Sequence, residues 1–277
     1  MTDTLSSTIV TLKTEYMTNN TSHAHIHEFI PSSSSNILSI DKNHLELLHK
    51  FMLSNPIYSS SHESKIDEIT CTIYEGDVTH FWLDSIKHDT SYAPFYPTWM
   101  LSAYTLALIS KNLGVDNIID IGSGDGRIAY SGKVVGIESY GIEIDENLVL
   151  LQKSISNDTK VNFNIKLDDA TKFDYTSLNL SQPAVFLSGL PEQGELLANS
   201  VIKKILSISN LKNNAMFVFM GSYSKRKYAK DDSKFGWGNV IDSFNLDIMK
   251  TVTLPTYWTS DQPTDTPFIF TKLNAEY

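Results

Sequence analysis

The residues of this chain best suited to chemistry are a set of glycines and acids between positions 120 and 170. They are Asp120, Gly122, Ser123, Gly124, Gly126, Glu143, Ile144, Asp169 and Ala170. The glycines sit in residues 117–130, NIIDIGSGDGRIAY. Lacking a Cβ, they let bare backbone approach a ligand. Asn117 to Ile121 are apolar and β-branched, which reads as a short buried strand. Arg127-Ile128-Ala129-Tyr130 can open a helix, so the loop sits at a helix N-terminus with free N–H groups. Strand, glycine loop and helix make the first crossover of a nucleotide-binding α/β sheet. The spacing argues against dinucleotides: a G-x-G-x-x-G run from Gly122 needs glycine where Arg127 stands. The Gly-Lys-Ser/Thr of a P-loop is also missing. Asp120 and Asp125 flank the loop and would repel a pyrophosphate. They suit a ligand with positive charge and no phosphate.

S-adenosylmethionine, with a sulfonium, an ammonium and a ribose diol, is such a ligand. Asp120-Ile-Gly122-Ser-Gly124-Asp-Gly126 resembles the first motif of the class I SAM-dependent methyltransferases, and the later landmarks follow in order. Residues 139–145, SYGIEID, read as a second strand carrying Glu143 near its end, about 20 residues past the loop, where an acid gripping a ribose is expected. Residues 161–170, VNFNIKLDDA, read as a third strand ending in Asp169-Ala170; residues 183–191, PAVFLSGLP, read as a fourth. The resemblance covers roughly residues 95–277. It implies a doubly wound, mostly parallel seven-stranded Rossmann-like sheet of α/β class, S-adenosylmethionine as cofactor, and no metal. It gives Gly122, Ser123, Gly124 and Gly126 to backbone contact and Asp120 to the methionine ammonium. Glu143, with Ile144 beside it, goes to the ribose; Asp169 and Ala170 go to the adenine, with Asp168 a one-residue alternative; Ser188 lines the channel.

The acceptor is read from two further places. Tyr96-Pro97-Thr98 resembles the Pro-Thr turn of seven-strand protein-lysine methyltransferases, which lies near the methionine end of the cofactor. The fourth strand runs into Ser188-Gly189-Leu190-Pro191-Glu192 and lacks the Asn/Asp-Pro-Pro-Tyr/Phe of base-amine methyltransferases. A lysine amine, with a free pKa of about 10.4, must shed a proton before attack. Glu192 and Tyr96 are therefore the catalytic candidates, Glu192 to attract the cation or take the proton; a helix-start acid is the plain alternative for Glu192. The partner expected is a methyl acceptor, first a protein. RNA stands second, on a basic-aromatic stretch of Tyr223, Lys225, Arg226, Lys227, Tyr228, Lys230 and Trp237. Small-molecule methylation and a non-catalytic interaction module are the other readings. A nicotinamide oxidoreductase is disfavoured by Arg127.

Around these residues the chain must build a scaffold. Its 277 residues, 41% apolar, allow one large domain with an appendage. Net charge −10 argues against a protein that coats nucleic acid. The single cysteine, Cys71, excludes an intrachain disulfide and suits a reducing, cytoplasmic setting. No stretch is apolar enough to span a membrane, and the N-terminus lacks a secretory pattern. Residues 1–40, rich in Ser, Thr and Asn, read as a flexible N-terminal segment with a linker at 31–36. His23, His25 and His27 alternate without a completing acid or cysteine cluster. Residues 41–94 read as an N-terminal α+β cap: a helix capped by Asp41, a strand or hairpin arm over 66–76, and a short helix over 79–88. The catalytic domain then takes 95–277, opening with an apolar helix over 99–112. It continues with helices over 145–156 and 194–208, a fifth strand over 214–221, and a terminal pair over 246–253 and 267–272 that supplies one antiparallel strand.

Overall fold

The computed structural model describes residues 2–19, 24–85, 95–187, 189, 191–222, 233–257 and 265–274; the side chains of residues 84, 85, 192 and 193 lie outside that description. Among the described residues the main body is a seven-stranded sheet. Its strands are β4 (Asn117–Ile121), β5 (Glu138–Glu143), β6 (Asn164–Leu167), β7 (Pro183–Leu187), β8 (Met216–Met220), β9 (Leu246–Leu254) and β10 (Thr266–Leu273). They lie in the order β6-β5-β4-β7-β8-β10-β9. The first five are parallel, and β10 runs antiparallel to both β8 and β9. The expected doubly wound α/β sheet with its antiparallel terminal strand is therefore the architecture of the chain. Strand order reverses between β4 and β7, which opens a crevice at the carboxyl ends of the strands.

The sheet is covered on both faces because alternate side chains of each strand point to opposite sides. Ile118, Phe186, Val218 and Phe270 face one core, shared with helices α4 (Met100–Asn112) and α5 (Arg127–Val134). Ile119, Val185, Phe217 and Ile269 face the other, shared with α7 (Pro191–Leu206) and α8 (Gly238–Ser243). Helix α6 (Glu146–Thr159) is capped by Asp145, whose carboxylate accepts from Asn147 and Leu148 N–H. Boundaries shift by a few residues from the sequence reading. β7 stops at Leu187, and α7 starts at Pro191, a residue whose fixed φ and missing N–H suit a first helical position.

The N-terminal region departs most from expectation. Residues 2–19, expected to be loosely held, form α1 (Thr2–Asn19), which buries Leu5, Ile9, Leu12 and Tyr16 in the first core. Its Lys13 meets Asp265, at the head of β10, at 3.0 Å, with both side chains 3% exposed. β1 (Ile26–Pro31) is wholly buried, so the appendage begins well before residue 41. It pairs antiparallel with β3 (Ile69–Gly76), itself paired with β2 (Tyr58–Ile66), as a three-stranded sheet. The serine run after Pro31 is a turn closed by Ser35, whose Oγ accepts from Leu38 N–H, and Leu38 is buried. α2 (Lys42–Ser54) starts where expected, at Asp41, and α3 (Thr79–Ser85) completes the appendage. Cys71 is buried in β3, and burial pushes its thiol up to about 12.

Candidate active site

The glycine loop joins β4 to α5, and three of its residues take the left-handed conformation: Gly122 (φ +67°), Gly124 (φ +57°) and Gly126 (φ +82°). Their surroundings differ. A Cβ on Gly126 would meet Phe163 and Gln152, so this glycine is demanded by packing. On Gly122 a Cβ would meet nothing within 4 Å, so this part of the loop faces open space. The loop is pinned from below: Gly122 and Ser123 N–H donate to Ile142 O, and Gln152 Nε2 donates to Ser123 Oγ at 2.9 Å and to Gly124 O at 2.8 Å. Gln152, from α6, is fully buried and was not anticipated from the sequence; nothing in its local pattern distinguishes it from a surface amide.

Glu143 ends β5 beside the loop. Its Oε1 accepts from Ile144 N–H (2.8 Å) and Asp145 N–H (3.0 Å), and its Oε2 accepts from Gly124 N–H (2.8 Å). Burial raises its pKa above the ordinary glutamate value, and the three backbone donors work against that rise. A carboxylate offers about four acceptor directions, so one remains. Asp120 is buried at the penultimate position of β4, in register with Gly141 of β5 and Phe186 of β7. Asp169 follows β6. Its Oδ1 accepts from Thr171 N–H and Oγ1, its Oδ2 pairs with exposed Lys172 at 2.9 Å, and the Thr171 hydroxyl leads in lowering its pKa. Asp168 is exposed, and Ala170 is buried with its carbonyl held by Tyr175 Oη. Thus Asp120, Gly122, Gly124, Glu143, Ile144 and the 168–170 turn gather at the carboxyl ends of three adjacent strands, with Ser123 turned inward to Gln152.

The Tyr96-Pro97-Thr98 turn lies against the same loop. Phe95 packs on Gly124 so closely that a Cβ there would come 2.6 Å from its Cε2. Tyr96, 38% exposed, stacks on Tyr257, with ring centroids 5.4 Å apart and 18° between planes. Tyr257 N–H donates to Pro97 O, and Thr98 bridges Thr256, so the β9–β10 connection is fastened to the turn. Ser188 lies outside the described residues; Glu192 falls in the first turn of α7 with its side chain outside them. Residues 223–232 of the basic-aromatic stretch are outside as well. Trp237, counted with that stretch, is corrected to a core residue: it is 1% exposed, rests on Phe219, and its Nε1 donates to Met220 O.

Asp125 and Arg127, read above only from their charge and position in the loop, turn inward. The guanidinium of Arg127 donates to Asp125, to Glu28 of β1 (3.0 Å), to Thr98 O and to Tyr58 Oη (3.2 Å), and Asn55 Nδ2 donates to Asp125 at 2.9 Å. Asp125 therefore braces the loop from inside. Among the described residues no cluster of three His, Cys, Asp or Glu side chains can hold a metal. His27 is buried on Tyr16, while His25 pairs with Asp77 at 2.9 Å. No described helix is long and apolar enough to cross a membrane.

No protein-family model and no curated protein matches the chain. Solved structures resemble it at low identity. A putative RNA methyltransferase from Pyrococcus horikoshii is 15% identical, with TM-score 0.48, over 71% of this chain and 98% of that one. A magnesium protoporphyrin IX methyltransferase from Synechocystis PCC 6803 with bound SAH is 9% identical, with TM-score 0.47, over 63% and 83%. An S-adenosylmethionine-dependent methyltransferase from Clostridium acetobutylicum is 12% identical, with TM-score 0.44, over 71% and 98%. At this identity and overlap the likeness carries no inference about activity or acceptor.

Proposed function

We propose that this chain is an S-adenosylmethionine-dependent methyltransferase whose acceptor is a protein lysine amine. The observation that carries the cofactor is the pairing of an open, left-handed Gly122 with a buried Glu143 carboxylate at the end of the neighbouring strand. The glycine backbone accommodates the methionine portion, Asp120 orients its ammonium, and Glu143 takes the ribose hydroxyls. The 168–170 turn receives the adenine: Lys172, exposed, gives way from Asp169 at little cost. With Asp125 turned inward onto Arg127, Asp120 and Glu143 are the acids left beside the loop, which suits a cation. We take residues 95–277 as the methyltransferase domain and the preceding residues as its appendage.

Bound S-adenosylmethionine supplies an electrophilic methyl group on a sulfonium; the chain's task is alignment and exclusion of water. Tyr96 and Tyr257 present aromatic surface beside the loop, fitted to the alkyl stem and cationic head of a lysine. Glu192, at the start of α7, draws that cation and takes its proton. The test is methyl transfer from radiolabelled S-adenosylmethionine into an extract of the source cells, with aliquots digested by protease or by ribonuclease. Label lost to protease supports the lysine reading. Label lost to ribonuclease, or none above a Glu143→Ala control, overturns it.

A further inference from the structure

Helix α4 begins without a side-chain cap of its own: Trp99 stands at the cap position and offers no acceptor. The acceptor arrives from 72 residues earlier, because Met100 N–H donates to Glu28 Oε2 at 2.5 Å. The other oxygen of Glu28 accepts from Arg127 Nη1 and from Tyr58 Oη. A guanidinium has five N–H donors. Those of Arg127 reach Asp125 twice, Glu28, the Thr98 carbonyl and Tyr58, and its face lies over the Phe51 ring. The Arg127 and Glu28 side chains are 3% and 1% exposed. Burial opposes the guanidinium charge, yet the surrounding carboxylates, Asp125 foremost and Glu28 with it, more than offset it; burial above all keeps the Tyr58 phenol protonated as a donor.

Glu28 therefore touches, directly or through Arg127, both walls of the candidate site. One is the 122–127 loop, held through Arg127 and Asp125. The other is the 96–98 turn, held through Met100 N–H and the Thr98 carbonyl. We propose that Glu28, on the appended sheet, is a positioning residue that sets the glycine loop and the aromatic turn relative to each other. The proposal rests on the methyltransferase reading for what the two walls hold. The attachment itself is independent of that reading. It gives the three-stranded sheet a role in the site that packing alone does not supply, since a buried carboxylate must be met by donors on both sides to be tolerated. A displacement of about 1 Å between groups that align two reactants is enough to cost on the order of a hundredfold in rate.

The test uses the full chain carrying Glu28→Gln, Glu28→Ala and, as a control, Thr271→Val, which removes a buried hydroxyl-to-Phe217 hydrogen bond far from the loop. S-adenosylmethionine affinity by calorimetry, melting temperature and amide hydrogen exchange are read on each. Affinity is expected to fall by about tenfold or more in the order Gln then Ala. Exchange should quicken selectively at residues 95–101 and 121–127. The control should lose melting temperature and keep affinity. Affinity within about twofold of the unaltered chain in folded Glu28→Gln, or equal loss in the control, overturns the proposal. If neither Glu28 variant folds, Tyr58→Phe, which removes one donor to Glu28, is read in the same way. If the unaltered chain binds no S-adenosylmethionine, the methyltransferase reading fails. Exchange at the two segments then decides alone: selective quickening supports the positioning role, and uniform quickening overturns it.

Discussion

Gly124 donates its backbone N–H to Glu143 Oε2 at 2.8 Å, so the acid expected to grip a ribose already holds the loop beside it. With Ile144 and Asp145 filling Oε1, a ribose diol must place both hydroxyls on Oε2, where one acceptor direction is open and the second is held by Gly124. The Gly124 amide resonance should therefore move on titration with S-adenosylmethionine. Glu143→Ala should weaken binding by roughly 1.5–3 kcal/mol, the range for hydrogen bonds to a charged group. Calorimetry checks this, and unchanged affinity in a folded variant removes the ribose assignment.

The same carboxylate gives binding a pH dependence. Burial raises the Glu143 pKa above the ordinary glutamate value, so a proton competes with the ribose at a higher pH than at an exposed glutamate. Affinity should fall as pH drops, starting above the usual carboxylate range. Glu143→Gln should bind more weakly and show no such slope. A calorimetric pH series that is flat in the unaltered chain contradicts this.

Gly122 and Gly126 should separate binding from folding. An L-residue in the left-handed region costs roughly 1–2 kcal/mol, and at Gly122 alanine meets no neighbour. Gly122→Ala should fold with that modest loss and bind S-adenosylmethionine about tenfold or more weakly. Gly126→Ala brings its Cβ within 2.8 Å of Phe163 and should add about 1–3 kcal/mol of overpacking. Urea unfolding of both variants, paired with calorimetry on Gly122→Ala, distinguishes the two effects.

The buried Lys13–Asp265 pair makes α1 structural. Lys13→Met removes the cation from a buried ion pair and should cost up to about 3–5 kcal/mol. The double variant with Asp265→Leu should recover most of that loss. Denaturant midpoints measure both; a single variant as stable as the unaltered chain contradicts a structural role for the pair.

The sheet, and the placement of the candidate residues at its carboxyl ends, were readable because they obey local rules. Ile118, Ile119 and Ile121 declare β4, three glycines declare the turn, and Glu143 lies one strand away at the usual spacing. What stayed hidden has no local signature. Nothing around Glu28 distinguishes it from a surface acid, and its donors are 30, 72 and 99 residues away. α1 carries so many Ser and Thr that its apolar stripe, Leu5, Ile9, Leu12 and Tyr16, passed for a loose segment. Trp237 resembled a stacking ring because the sequence pattern could not tell a buried aromatic from an exposed one.

The reach of these contacts constrains the order in which the protein can be made. Asp3 pairs with Lys250 across 247 positions, and Glu28 waits for Arg127. A ribosome releases the first helix long before β9 exists, and loop closure of that span must precede any reward from the contact. The part of the N-terminal apolar face that packs on β9 is thus uncovered until late in synthesis, a state open to chaperones and to aggregation. Cutting the chain near residue 95 would not release an independently folded unit: it would leave α4 without its cap and Arg127 as a buried cation short of one carboxylate.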